Sequence, residues 1–204
     1  MTIRLHRGDL PDLSLYRGSV AIDTETMGLE LHRDRLCVVQ LSPGDGTADV
    51  VQIPPGPVDA ANLRRLIGDP AILKIFHFAR FDIAMLFKTL GVMPTPVYCT
   101  KIASRLARTY TDRHGLKDLV RDLLGIDVSK QQQLSDWGAA TLTDAQVSYA
   151  ASDVLHLHAL REKLDVLLAR EGREQLAAAC FTFLPDRARL DLAGWAAEDI
   201  FAHS

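Results

Sequence analysis

The first half of the chain alternates short apolar runs with turn-forming segments, and helical spacing takes over after about residue 101. Val20–Ile22, Leu36–Leu41 and Asp49–Ile53 read as strands. Ser42-Pro43-Gly44-Asp45-Gly46 joins the second to the third as a hairpin-type connection, and Pro54, Pro55 and Pro57 stop the third. The spacing predicts a helix over Val58–Ile67, a strand over Ile72–Phe76, a helix over Phe81–Leu90 closed by Gly91, and a short strand at Val97–Cys99. Beyond these, His114–Leu124 is amphipathic and stops at Gly125. Thr143-Asp144-Ala145-Gln146 has the form of a capping box opening a helix that runs to about Arg170. A last helix is predicted over roughly Arg173–Phe183, ended by Pro185. Strands followed by alternating strands and helices predict one mixed α/β domain over 1–204, with 173–204 as a helical extension.

Composition excludes several classes. With 204 residues, 48% hydrophobic and 24% charged, the chain suits a globular fold rather than disorder. No apolar stretch approaches the roughly 20 residues of a membrane helix, and the N-terminus lacks the apolar core of a secretory signal, so a cytoplasmic location without membrane partners is expected. Cys37, Cys99 and Cys180 are far apart and form no CxxC pair, which argues against a disulfide framework or a zinc site. A net charge of −3 gives no bulk basic footprint for long nucleic acid.

The chemistry begins at Asp23-Thr24-Glu25, directly after the run Val20-Ala21-Ile22. Residues two apart on a strand share a face, so two carboxylates enter one small volume. Such a pair is costly without a neutralising cation, and hard divalent ions prefer oxygen ligands. Asp82 lies just past the fourth predicted strand, where α/β sheets commonly bind ligands; alone it also suits the positive end of a helix. Tyr149 and Asp153 are four apart and share a helix face. The stripe Val154, Leu157, Leu160 and Leu164 puts Asp153 against a buried surface, where an acid needs compensation.

In this order the four acids and the tyrosine resemble the DEDD superfamily of 3′–5′ exonucleases, in its tyrosine-containing branch. The motifs are Ile22-Asp23-Thr24-Glu25-Thr26-Met27-Gly28-Leu29, His77-Phe78-Ala79-Arg80-Phe81-Asp82 and Tyr149-Ala150-Ala151-Ser152-Asp153-Val154. Gly115-Leu116-Lys117-Asp118-Leu119 and Ser135-Asp136-Trp137 look like ribonuclease D sequence. The resemblance covers about residues 15–170 and implies a ribonuclease H-like exonuclease fold, a mixed central sheet flanked by helices. A chain of this size has no room for the extra C-terminal helical domains of ribonuclease D proper, and looks closest to the nanoRNase C family. That family degrades very short RNA, notably diribonucleotides, forms octameric rings, and has been associated with DNA ends.

By this resemblance Asp23, Glu25 and Asp153 would hold one Mg²⁺ or Mn²⁺, and Asp23 would bridge to a second supported by Asp82. Two ions about 4 Å apart stabilise the attacking and leaving oxygens of an in-line displacement. Tyr149 would orient the water, Leu29 would wedge between the last two bases, and His77 would contact phosphate or sugar. Leu29 also fits a core-edge position and His77 a structural one. Arg105 and Arg108 suit a terminal 5′ phosphate or a solvated helix face equally well. Trp137 is expected to pack rather than stack a base, and His156 and His158 cannot both face one ion. Lys130-Gln131-Gln132-Gln133 departs from the more basic ribonuclease D pattern, which fits a substrate with few phosphates. The expected activity is metal-dependent 3′–5′ hydrolysis of short RNA to nucleoside 5′-monophosphates by a homo-oligomer. The alternatives are a broader exonuclease on longer RNA or DNA ends, and a non-catalytic nucleic-acid scaffold, which would be expected to lack one of the four acids.

Overall fold

The computed structural model describes residues 2–128 and 134–203; the Lys130–Gln133 segment lies outside them. Six strands form one sheet: β1 (Thr2–Arg7), β2 (Ser19–Thr26), β3 (Leu36–Ser42), β4 (Thr47–Gln52), β5 (Leu73–Phe76) and β6 (Val97–Cys99), in the order β1-β4-β3-β2-β5-β6. β2, β3 and β4 pair antiparallel, while β1 on β4, β5 on β2 and β6 on β5 are parallel. All seven residues of β3 are buried, so both faces of the sheet's centre are covered.

The helices are α1 (Ala61–Gly68), α2 (Ala79–Leu90), α3 (Thr100–Ala107), α4 (Leu116–Leu119), α5 (Asp144–Leu155), α6 (Leu157–Arg170) and α7 (Glu174–Leu190). α4 runs into a wide turn over Val120–Leu124 that closes at Gly125, whose φ of 71° is the left-handed conformation glycine favours. The predicted capping box is present: the Thr143 hydroxyl accepts from Gln146 N–H at 3.2 Å, and Gln146 Oε1 accepts from Thr143 N–H at 3.0 Å.

Three features depart from the sequence expectations. β1 was not predicted, because its Arg4 and His6 break the apolar pattern; both are held by the Asp49 carboxylate of β4 at 2.7 Å. The long helix predicted to Arg170 divides at His156, with no proline or glycine to announce the break. Pro185 does not end the last helix, which continues to Leu190. Phe181, Leu184 and Ala188 keep one buried face running across the proline, and that burial offsets the lost backbone hydrogen bond. No helix among the described residues is long and apolar enough to cross a membrane.

Candidate active site

The C-terminal half of β2 carries Asp23 and Glu25, and a register shift between Glu25 and Thr26 bends the strand there. Asp153 comes from α5, where Ala150 and Ala151 are fully buried and so small that the helix packs close to the sheet. Oxygens of Asp23, Glu25 and Asp153 all lie within 4.8 Å of one another. Asp82, in the first turn of α2, is buried and stands outside this trio of mutual distances. Its Oδ1 accepts a hydrogen bond from Thr24 Oγ1 at 2.6 Å. The four acids and Tyr149 line one cleft of about 560 Å³, together with Leu29, His77 and Lys117.

The electrostatics are those of carboxylates packed without counter-charge. Burial, then the charges of Asp23, Asp153 and Asp82, push Glu25 up to about 9. Burial raises Asp23, and burial plus the Asp23 charge raise both Asp153 and Asp82. None of the ion pairs among the described residues involves these acids. Gln40 Nε2 reaches Asp23 Oδ2 at 3.4 Å, but an amide leaves the charge in place. An all-oxygen, uncompensated acidic cluster fits hard divalent cations such as Mg²⁺.

Tyr149 is held from behind by Trp137, whose ring centroid lies 6.1 Å from the tyrosine's. Trp137 is buried, as expected of a packing residue. Burial, then the charges of Asp153, Glu25 and Asp23, raise the Tyr149 phenol above its ordinary value. His77 lines the cleft, while its Nδ1 is 2.9 Å from Thr100 Oγ1. Burial, with Lys101 nearby, lowers it to about 3, so its ring is neutral.

Leu29 is 80% exposed at the cleft edge. Its loop is built rather than loose: Asp34 Oδ2 accepts from Glu30 N–H at 2.9 Å, and Lys88 Nζ donates to the carbonyls of Leu31 and Asp34. Of the two arginines considered for phosphate, Arg105 is exposed, whereas Arg108 is buried and donates to Asp122 at 2.7 Å. Two contributors escaped the sequence reading, Thr24 and Lys88. Thr24 lies inside the first motif; Lys88 carries no local signal, since it acts on a loop more than 50 residues away.

Comparisons with known proteins agree with this geometry. A family model described as 3′–5′ exonuclease matches residues 11–169. Ribonuclease D of Gluconacetobacter diazotrophicus is 37% identical over 169 residues, 83% of this chain and 42% of that protein. The chain thus spans about two-fifths of that curated relative's length. Brucella melitensis NrnC with bound Mg²⁺ superposes with a TM-score of 0.96 at 60% identity, covering 100% of both chains. The same protein bound to pGG gives 0.97 at 61% identity, again covering 100% of both. With its mixed sheet, flanking helices and acid-lined cleft, the chain belongs to the 3′–5′ exonuclease family of nuclease hydrolases, as a ribonuclease D-like DEDD member close to nanoRNase C.

Proposed function

We propose that this chain is a metal-dependent 3′–5′ exoribonuclease that hydrolyses very short RNA, diribonucleotides foremost, to nucleoside 5′-monophosphates. The observation that carries this is the Asp23–Glu25–Asp153 cluster, with mutual oxygen distances within 4.8 Å. It opens into a cleft whose roughly 560 Å³ suits a small ligand. Full-length similarity to NrnC, solved with Mg²⁺ and with pGG, supports the substrate class. A formal charge of −3 also suits a substrate with few phosphates.

Asp23, Glu25 and Asp153 would hold one divalent ion, Mg²⁺ or Mn²⁺, and Asp23 with Asp82 a second. When bound, such ions neutralise phosphate charge and make water nucleophilic near neutral pH. Thr24 holds the Asp82 carboxylate by a hydrogen bond in the cleft that Asp82 shares with the other three acids. The Tyr149 phenol, which stands beside Asp153, Glu25 and Asp23, would orient the attacking water by hydrogen bonding. With His77 Nδ1 engaged by Thr100, a sugar or phosphate contact falls to its Nε2. Leu29 stands exposed at the edge where it would part the two bases. The octameric ring implied by the nanoRNase C resemblance belongs to the same proposal, and the exposed Trp195, Ile200 and Phe201 offer apolar surface for it.

The test is to incubate a 5′-labelled diribonucleotide with enzyme and Mg²⁺ or Mn²⁺ and follow release of mononucleotide. Loss of the dimer in the wild type, and none with Asp23→Ala, is the expected result. Activity surviving in Asp23→Ala overturns the assignment of the metal site.

A further inference from the structure

α7 and the turn after it lie beyond residue 169, where the match to the exonuclease family model ends, yet they pack against α2, the helix that carries Asp82. The two parts meet in an ion pair between Arg80, the second residue of α2, and Asp191, which follows α7 directly. We propose that Asp191 is a positioning residue: through Arg80 it fixes the first turn of α2 and, with it, the Asp82 carboxylate that supports the second divalent ion. The proposal rests on the metal-dependent exonuclease reading above.

The start of α2 has little local support. Its N-cap, Phe78, has φ 64° and ψ 44°, a left-handed backbone disfavoured for a bulky aromatic, and no N-cap side chain bonds to the helix. Such backbone persists where the surrounding structure enforces it. Arg80 adds nothing locally, since a cation opposes the positive end of the helix macrodipole. Asp191 is misplaced in the same sense for α7, as an acid at a helix's negative end. The two residues make electrostatic sense only as partners across two helices.

Their pairing is a fork. Arg80 Nε donates to Asp191 Oδ2 at 2.5 Å and Arg80 Nη2 to Oδ1 at 2.6 Å, which fixes direction as well as distance. Arg80 Nη2 also donates to the Ala196 carbonyl at 2.6 Å. Asp191 is 3% exposed, and Arg187 Nη2 donates to its Oδ1 at 2.6 Å and to the Trp195 carbonyl. The carboxylate is thus held between two guanidiniums and has little freedom to turn away from Arg80. Arg189 ties the same two helices again, with its Cζ 6.0 Å from the Phe87 ring centroid. Thr24 holds Asp82 itself from β2, while Asp191 holds the same turn two residues earlier from the C-terminal segment. Releasing either tie frees the turn that carries the acid.

Two readouts on the full chain separate positioning from general stability. One is the Mg²⁺ concentration that gives half-maximal hydrolysis of a 5′-labelled diribonucleotide; the other is amide hydrogen exchange of residues 79–84 in chelator. Arg80→Lys keeps the charge and loses the fork, and Asp191→Asn keeps the shape and loses the charge. Each is expected to raise the Mg²⁺ midpoint about tenfold, within what outer partners of metal ligands contribute, and to speed exchange at residues 79–84. At saturating Mg²⁺ their kcat is expected to return to within about twofold of wild type, the pattern of weakened ion binding. Arg187→Met leaves the fork in place, and is expected to lower the melting temperature without moving the midpoint. An unchanged midpoint or unchanged exchange in Arg80→Lys overturns the positioning role, and so does an equal rise of the midpoint in Arg187→Met. If Asp191→Asn does not fold, Arg80→Lys decides alone. Wild-type hydrolysis that needs no divalent ion sinks the metal-dependent reading, and this inference with it. Metal-dependent wild-type hydrolysis with unchanged variants sinks this inference only.

Discussion

The Thr24 hydroxyl donates to the Asp82 carboxylate at 2.6 Å, fastening α2 to the acid-bearing strand β2. The bond joins residues 58 positions apart and is buried. It also explains how Asp82 tolerates its burial next to the charge of Asp23: the hydroxyl offsets part of a pKa rise caused by desolvation and by that charge. Thr24→Val keeps the shape and removes the donor. We expect it to cost about 1–3 kcal/mol of stability, since a buried acceptor is left unsatisfied, and to lower kcat while Thr24→Ser stays close to wild type. Thermal melts and single-turnover rates check this; a Thr24→Val enzyme indistinguishable from wild type in both would contradict it.

The crowded acids make metal-free stability depend on pH. Glu25 is raised from 4.5 to about 9 by burial and by its acidic neighbours. A group raised in the folded state lends stability that is present below about 4.5 and lost as pH climbs towards about 9. Asp23, Asp82 and Asp153 are raised from the same ordinary carboxylate range and act in the same direction. In chelator the melting temperature is therefore expected to fall between pH 5.5 and 8.5, and added Mg²⁺ to raise it more at the upper pH. An Mg²⁺-induced shift of the same size at both pH values would show that the acids are not the ion's ligands.

Gly28 precedes Leu29, and a Cβ at that position would collide with the Asp34 carboxylate. Gly28→Ala must push Asp34 off the Glu30 amide it accepts from at 2.9 Å and so loosen the loop. The expected outcome is a several-fold higher KM for diribonucleotide with kcat changed less than about twofold, the pattern of lost uniform binding. Steady-state kinetics decide; a fall in kcat at constant KM would instead place the loop in the chemical step.

Asp49 is the common acceptor for Arg4 Nε at 2.7 Å, His6 Nε2 at 2.7 Å and the Tyr16 hydroxyl at 2.5 Å. Burial works to raise this carboxyl, yet the hydrogen bonds from Arg4, Tyr16 and His6 hold it at about 2. A lowered carboxylate pKa gives stability that is present above about 4 and lost as pH falls towards 2. Asp49→Ala leaves three donors without their acceptor, and a loss of about 3–5 kcal/mol is expected. Because none of these residues lines the catalytic cleft, kcat of the folded enzyme should not move. Denaturant melts with parallel assays measure both quantities; a large drop in kcat at full folding would be the contrary result.

Local pattern carried the strand–helix alternation and the motifs because each rests on short-range geometry. The period of two placed Asp23 with Glu25, and the i, i+4 spacing placed Tyr149 with Asp153. What stayed hidden depends on distant partners. β1 is an edge strand whose polar residues make sense only beside Asp49, and the break at His156 has no local marker. Pro185 misled because tertiary burial along α7 outweighs a local breaker. Arg108 is neither a solvated helix face nor a free phosphate contact because Asp122, 14 residues on, holds it, a pairing that nothing local to Arg108 signals.

The central claim is best tested by competition in one tube among a 5′-labelled diribonucleotide, a longer single-stranded RNA and a blunt DNA duplex, with Mg²⁺ present. Rapid loss of the dimer, with the other two consumed far more slowly, is the predicted result. Digestion of the long RNA or the duplex at a rate equal to or above that of the dimer would contradict it and mark a general exonuclease.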